Sequence, residues 1–212
     1  MIYNEQRAMR LLWGNGSDKE TASPVNESTI MLEKPTYSET INNRIYFYSD
    51  VSTTSILKLN REIRCLNNEL IHRKITEEIP EIQIFLHINS FGGGVFAGLS
   101  GMDEILNCKI PIYTIVDGCC ASAATFLSVV GKKRFINRHA YMLIHQISSF
   151  FWGKYEEFKD EKENLDKMME MIKKVYKEYT KFPIKKLDEI LKRDLWLDSK
   201  ECLEYGLVDE IV

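Results

Sequence analysis

Two rhythms of apolar residues alternate along this chain, and the alternation predicts an α/β protein. Ile56, Leu59, Ile63, Leu66 and Leu70 recur at spacings of 3, 4, 3 and 4. That is the stripe of an amphipathic helix, begun at a cap offered by Thr53, Thr54 or Ser55 and running to about His72. On either side, Arg44 to Val51 and Ile82 to Asn89 have the β-branched and aromatic content of strands. The second is apolar enough for burial on both faces, as in a parallel sheet. Ala97 to Leu106 predicts a short helix, Pro111 to Val116 a strand, and Ser122 to Val130 another helix. Phe135–Ile136 and Ala140 to His145 add strands. The order strand, helix, strand, helix, strand implies right-handed crossovers and a mainly parallel sheet.

The two ends of the chain depart from this alternation. Gly14 to Thr40 is rich in Ser, Thr, Asn, Asp and Glu and contains Pro24 and Pro35. Residues 1–40 therefore read as a flexible or conditionally ordered arm, and residues 41–212 as the domain. Gly153 to Phe182 predicts a long helix or helix pair. Its Glu156 to Lys167 half is densely charged with one apolar stripe, the pattern of a helix that projects and buries the stripe on a neighbour. The Met169 to Tyr179 half fits a helix lying on its own sheet. Pro183 restarts a helix over Ile184 to Lys192, and Asp198–Ser199 caps a short one ended by Gly206.

Composition narrows the class. Of 212 residues, 44% are hydrophobic and 28% charged, with a net charge of −3. That leaves no basic excess for nucleic acid, and no stretch approaches a transmembrane span. Met1 to Arg10 lacks the apolar core of a secretory signal. Five cysteines without metal-ligand spacing suggest reduced thiols and a cytoplasmic protein. Gly131-Lys132-Lys133-Arg134 reads as a solvated basic turn.

Chemistry concentrates in Asp117-Gly118-Cys119-Cys120-Ala121-Ser122-Ala123-Ala124-Thr125, where a strand, a glycine turn and a serine at a helix start would present a hydroxyl. The plainer alternative is that Ser122 is only an N-cap. A Cys120 thiolate is a competing nucleophile, but Cys119 and Cys120 read as small buried side chains. Gly92-Gly93-Gly94 follows a strand without the Gly-Lys-Ser/Thr or G-x-G-x-x-G of a nucleotide site. What remains are backbone N–H groups aimed at developing negative charge. His145 ends an apolar strand, well placed to face a cleft as a base, whereas His87 lies within a strand, where histidine is usually structural. Asp194, Asp198 and Asp209 compete for the acid that would orient His145, and spacing does not choose among them.

Ile88-Asn89-Ser90-Phe91-Gly92-Gly93, Gly118-Cys119-Cys120-Ala121-Ser122-Ala123, Met142-Leu143-Ile144-His145-Gln146, Lys192-Arg193-Asp194 and Glu204-Tyr205-Gly206-Leu207-Val208-Asp209 resemble, in order, the signatures of the caseinolytic (Clp) protease proteolytic subunit. The resemblance covers about Arg44 to Val212. It implies a crotonase-like ββα spiral with a projecting handle helix over about residues 153–182, and Ser122, His145 and Asp194 as nucleophile, base and acid. It further implies an oxyanion hole at the amides of Gly93 and Ala123, and substrate polypeptide bound extended beside the glycine loop. Such subunits stack in two heptameric rings. They take unfolded chains from an AAA+ ATPase that spends the ATP, so no cofactor is expected in this chain.

Several positions depart from the family pattern. Phe91 replaces a usual proline, which leaves the glycine loop less stiff. Ile147-Ser148-Ser149-Phe150 replaces a proline and a glycine-rich segment beside the peptide groove. His87, Asp117 and Asn137 stand where the family places apolar residues of its ATPase-docking pocket, which speaks against docking a standard ATPase. Phe85, Ile115 and Phe135 keep the apolar character. The competing functions are an idle structural ring subunit, an acyl-CoA hydratase or isomerase of the same fold, and a signal-peptide peptidase whose base would be lysine.

Overall fold

The computed structural model of the chain describes residues 37–78 and 82–212. Most of the arm expected over residues 1–40 lies outside them. Its end is not an arm but a strand, β1 (Tyr37–Ile41), antiparallel to β2 (Arg44–Tyr48) across a turn in which Asn42 takes φ 55°. Asparagine tolerates that left-handed conformation. β1 escapes sequence reading because it is a solvent-facing edge strand, so Ser38, Glu39 and Thr40 need no apolar run.

Helix α1 (Thr53–Thr76) begins one residue earlier than the predicted caps. Ser52 is the N-cap, and its hydroxyl accepts from the Ser55 N–H at 3.1 Å while the Ser55 hydroxyl accepts from the Ser52 N–H at 2.9 Å. Arg73 and Lys74 favour a last turn beyond His72 through the helix dipole. The stripe Ile56, Leu59, Ile63, Leu66 and Leu70 is buried as predicted, against Ile84, Leu86 and Ile88 of β3 (Ile84–Ser90) in one core. Alternate residues of β3 are buried, and the intervening Phe85 and His87 are half-exposed on the opposite face.

The sheet has 7 strands: β1, β2 and β3 are followed in space by β4 (Ile112–Ala121), β5 (Lys133–Ile136) and β7 (Glu210–Ile211), with β6 (Tyr141–Leu143) on β4, and every pairing except β1 with β2 is parallel. Between β3 and β4 runs α2 (Val95–Asn107), longer than predicted at both ends. Strand β4 (Ile112–Ala121) corrects the expected strand of Pro111 to Val116, because Gly118 continues it instead of turning it. A Cβ at Gly118 would come within 2.9 Å of the Asn89 Oδ1 that accepts the Cys119 N–H at 3.1 Å, so the glycine serves close approach. Beyond Gly118, β4 changes partners. Tyr113–Val116 pairs with β5 (Lys133–Ile136), and Cys119–Ala121 pairs with β6 (Tyr141–Leu143). Ile88 pairs with Val116 but Ser90 with Cys120, so β4 carries the extra residues of a bulge where the exchange occurs. α3 (Ala124–Val129) follows.

One helix, α4 (Tyr155–Tyr179), spans the long predicted helical stretch, and the two halves behave as their charge patterns imply. Its buried residues are Ile172, Val175 and Tyr176, all in the second half, while Tyr155 and Phe158 are exposed. The Tyr176 hydroxyl lies 2.6 Å from Thr125 Oγ1, tying α4 to α3. α5 (Ile184–Leu191), α6 (Ser199–Glu204) and β7 (Glu210–Ile211) complete the fold. Among the described residues, no helix is long and apolar enough to cross a membrane.

Lys132 and Lys133 are exposed, as expected of a solvated basic turn, but Arg134 is not. Arg134 Nη1 donates to the carbonyls of Tyr179 and Gly206 at 2.5 and 2.8 Å, and Nε and Nη2 donate to Asp209 at 3.0 and 2.5 Å. One guanidinium thus joins the end of α4, the turn after α6 and the approach to β7. These bonds hold the Asp209 carboxyl below its ordinary range. The unfolded chain binds that proton first, so the contribution is present above the unfolded pKa of about 3.9 and is lost as pH falls through the lower folded value. The stability advantage of wild type over Asp209→Asn in urea unfolding should be clear near pH 6 and shrink as pH falls below about 4.

Candidate active site

The end of β4 brings the chemistry together. Ala121 pairs with Leu143, the last residue of β6, so Ser122 and His145 leave adjacent parallel strand ends. The Ser122 N–H donates to the Leu143 carbonyl at 2.8 Å. Ser122 is not the cap of α3, because Ala123 occupies that position without a side-chain hydrogen bond. Ser122 has φ 53°, a left-handed conformation costing a β-carbon-bearing residue about 1–2 kcal/mol. Its carbonyl, held by the Thr125 N–H at 3.0 Å and the Thr125 hydroxyl at 2.6 Å, helps keep the residue there. The turn aims Oγ outward, 2.9 Å from His145 Nε2.

Two backbone ties arch the next segment over His145. The Gln146 N–H donates to the Leu191 carbonyl at 2.6 Å, and Met142 and Leu197 exchange hydrogen bonds at 2.9 and 2.7 Å. Asp194 lies between these anchors, with Oδ1 2.9 Å from His145 Nδ1. The carboxylate accepts from Nδ1–H, leaving Nε2 to accept from the serine hydroxyl. The side chain of Asp194 is 70% exposed, that of His145 19%. The other two carboxylates are engaged elsewhere. Asp198 caps α6, accepting from the Lys200 and Glu201 N–H groups at 2.8 and 2.9 Å, and Asp209 binds Arg134. Cys120 is fully buried, and burial pushes its thiol well above the usual range, the opposite of what a thiolate nucleophile requires.

The glycine loop reaches the same point. Val51 clamps it through backbone alone, donating to the Gly92 carbonyl and accepting from the Gly94 N–H, both at 2.8 Å. Val51 escaped sequence reading because no side chain marks a backbone clamp. Gly92 has φ 93°, and a Cβ there would stand 2.5 Å from the Ala121 carbonyl and 2.7 Å from Ser122 Cβ. Gly93, at φ 152°, has no room for a Cβ beside the Val51 carbonyl. The amides of Gly93 and Ala123 donate to no acceptor among the described residues. A hydroxyl with an imidazole, an orienting carboxylate and two available amides nearby is equipped for acyl transfer.

His87, Asp117 and Asn137 form a separate network on the open face of the sheet. Asp117 accepts from Tyr48 at 2.5 Å and Asn137 at 3.1 Å and lies 3.0 Å from His87 Nδ1, while Arg44 Nη1 donates to His87 Nε2 at 2.8 Å. A guanidinium only donates, so the His87 proton sits on Nδ1 toward Asp117. Burial pushes the Asp117 carboxyl up, but its bonds to His87, Tyr48 and Asn137 outweigh that and leave it lowered. Beside this network, Phe85, Tyr113 and Phe135 are in ring contact. Among the described residues, no group of three or more His, Cys, Asp or Glu is placed to hold a metal ion.

The family profile described as Clp protease matches residues 39–212. The chain is 35% identical over 161 residues to the ATP-dependent Clp protease proteolytic subunit of Triticum aestivum, covering 72% of this chain and 74% of that protein. It is 36% identical over 159 residues to that of Zea mays, with the same coverage. A ClpP1 mutant from Listeria monocytogenes shares the fold, with a TM-score of 0.69 at 24% identity over 81% of this chain and 91% of that one.

The crowding at Gly92 sets a test of the loop. Gly92→Ala should slow labelling of Ser122 by a fluorophosphonate by at least about tenfold, since displacement of the neighbouring backbone by a fraction of an ångström misaligns the amides. Mass-spectrometric labelling rates would measure it.

Proposed function

The chain belongs to the Clp protease family, and from that premise we propose that Ser122, His145 and Asp194 cut peptide bonds by acyl transfer. The protein is a proteolytic subunit of serine-peptidase type. The observation that carries the residue assignment is the unbroken row Asp194–His145–Ser122, with both links at 2.9 Å. His145 Nε2 takes the Ser122 proton as Oγ attacks the scissile carbonyl, and Asp194 holds the proton on Nδ1 and stabilises the imidazolium. The amides of Gly93 and Ala123 receive the oxyanion. The imidazolium then protonates the leaving amine, and water, activated by the same imidazole, releases the acyl-enzyme. Water is the only co-reactant, so the chain itself needs no cofactor, and ATP is spent by a partner that unfolds the substrate polypeptide.

We further propose that subunits assemble through α4 into two stacked heptameric rings enclosing the site. Support comes from apolar surface on and before the charged half of α4. Phe150 and Trp152 are each 91% exposed, and Tyr155 and Phe158 are exposed beyond them. The AAA+ ATPase would meet a docking face where the His87–Asp117 network lies beside the aromatic row of Phe85, Tyr113 and Phe135, so its docking segment must offer polar groups. Five free thiols, two of them buried, suit a reducing cytoplasm. An idle structural subunit is not favoured, since the hydrogen-bond row is complete, and a hydratase or isomerase is not favoured by the relatives.

A fluorophosphonate should label Ser122, and Ser122→Ala should remove both labelling and peptide hydrolysis. Asp194→Asn should lower kcat by about two to four orders of magnitude with little change in KM, because the wrong histidine tautomer is then held. Unaltered turnover in Asp194→Asn would remove that residue from the mechanism. Replacing Phe158 by Glu should shift sedimentation from stacked rings toward smaller species, an outcome that electron microscopy can check.

A further inference from the structure

Phe91 and Trp196 stand on the two segments that complete the site. Phe91 immediately precedes the Gly92–Gly93 turn, and Trp196 follows Asp194 by two positions. Their rings meet edge to face, with centroids 6.1 Å apart and planes at 87°. Both are substantially exposed, Phe91 at 70% and Trp196 at 41%. Neither belongs to the core, so their contact contributes little to holding the fold together.

No hydrogen bond among the described residues joins the two segments to each other. The glycine loop is clamped at Val51 through backbone hydrogen bonds. Asp194 sits in irregular chain between the end of α5 and the Met142–Leu197 bridge. Its carboxylate, largely in water, is fixed by His145 alone among its hydrogen bonds to described residues. Water competes for both partners of such a bond, so its geometry depends on how firmly the chain around it is held.

We infer that the Phe91–Trp196 contact is a clasp that couples the loop bearing the oxyanion amides to the segment bearing Asp194, so that both are aligned on Ser122 and His145 together. Phe91 and Trp196 are positioning residues, and the inference rests on the acyl-transfer reading of the site. Loss of either ring uncouples the two segments from each other. The effect belongs to the chemical step, where displacements of under an ångström are costly, and not to substrate affinity.

The test is a double-mutant cycle in the assembled full-length protein. Phe91→Ala and Trp196→Ala should each lower kcat about tenfold with KM within about twofold, and the double variant should fall no further than either single. Labelling of Ser122 by a small fluorophosphonate, which has no peptide side chains to contact a wall of the cleft, should slow by the same factor. Phe91→Tyr should keep near-wild-type rates, while Phe91→Leu, which keeps apolar bulk without a ring edge, should behave as Phe91→Ala. Multiplying effects in the double variant, unchanged rates, or a raised KM with unchanged kcat and labelling would overturn the clasp. The last result would make the pair a substrate wall instead. Failure of the acyl-transfer reading is recognised separately, because the wild type itself would then show no labelling of Ser122.

Discussion

The short parallel pairing of β4 with β6 governs the geometry of everything at the site. It joins Cys119 to Tyr141, Cys120 to Met142 and Ala121 to Leu143. Its register fixes which residues leave the sheet side by side. Adjacent strands stand about 4.8 Å apart, a separation that a serine and a histidine side chain close to a hydrogen bond. A slip of one residue would send the hydroxyl or the imidazole to the wrong face. The fully buried Cys120 and Met142 oppose such a slip, since shifting them would drive buried side chains out of the core. The small residues around Ser122 thus have a packing role that precedes any chemical one.

A second consequence follows from where β4 changes partners. The strand could not pair with β5 and β6 in turn without the bulge between Val116 and Cys120, and the bulge needs Gly118 against the Asn89 amide. Asp117 falls on this bend, which turns it toward Tyr48, His87 and Asn137. The catalytic end of β4 and the polar network on the open face of the sheet are therefore two products of one backbone irregularity.

Much of this was legible in the sequence, and what was not has identifiable causes. The stripe of α1, the two-part character of α4 and the parallel order of the sheet were visible because burial imposes periodicity. Ser122 was visible as a hydroxyl at an expected helix start, and His145 as the end of an apolar strand. The choice of Asp194 over Asp198 and Asp209 was not accessible from spacing, because it depends on the arch between Leu191 and Leu197, two backbone ties that leave no mark in side chains. The same holds for Val51 at the glycine loop. β1 was hidden by its polar edge, and Arg134 by its place in a run of otherwise exposed basic residues. The length of β4 is hidden because glycine after an apolar run signals a turn, whereas Gly118 serves close approach to Asn89.

The left-handed backbone at Ser122 has an evolutionary consequence. Glycine would occupy that position without steric conflict, so the backbone there favours a residue that lacks the hydroxyl. Serine is retained against a small thermodynamic slope. In a lineage where this subunit no longer had to react with anything, the backbone would no longer be held to its left-handed serine by chemistry.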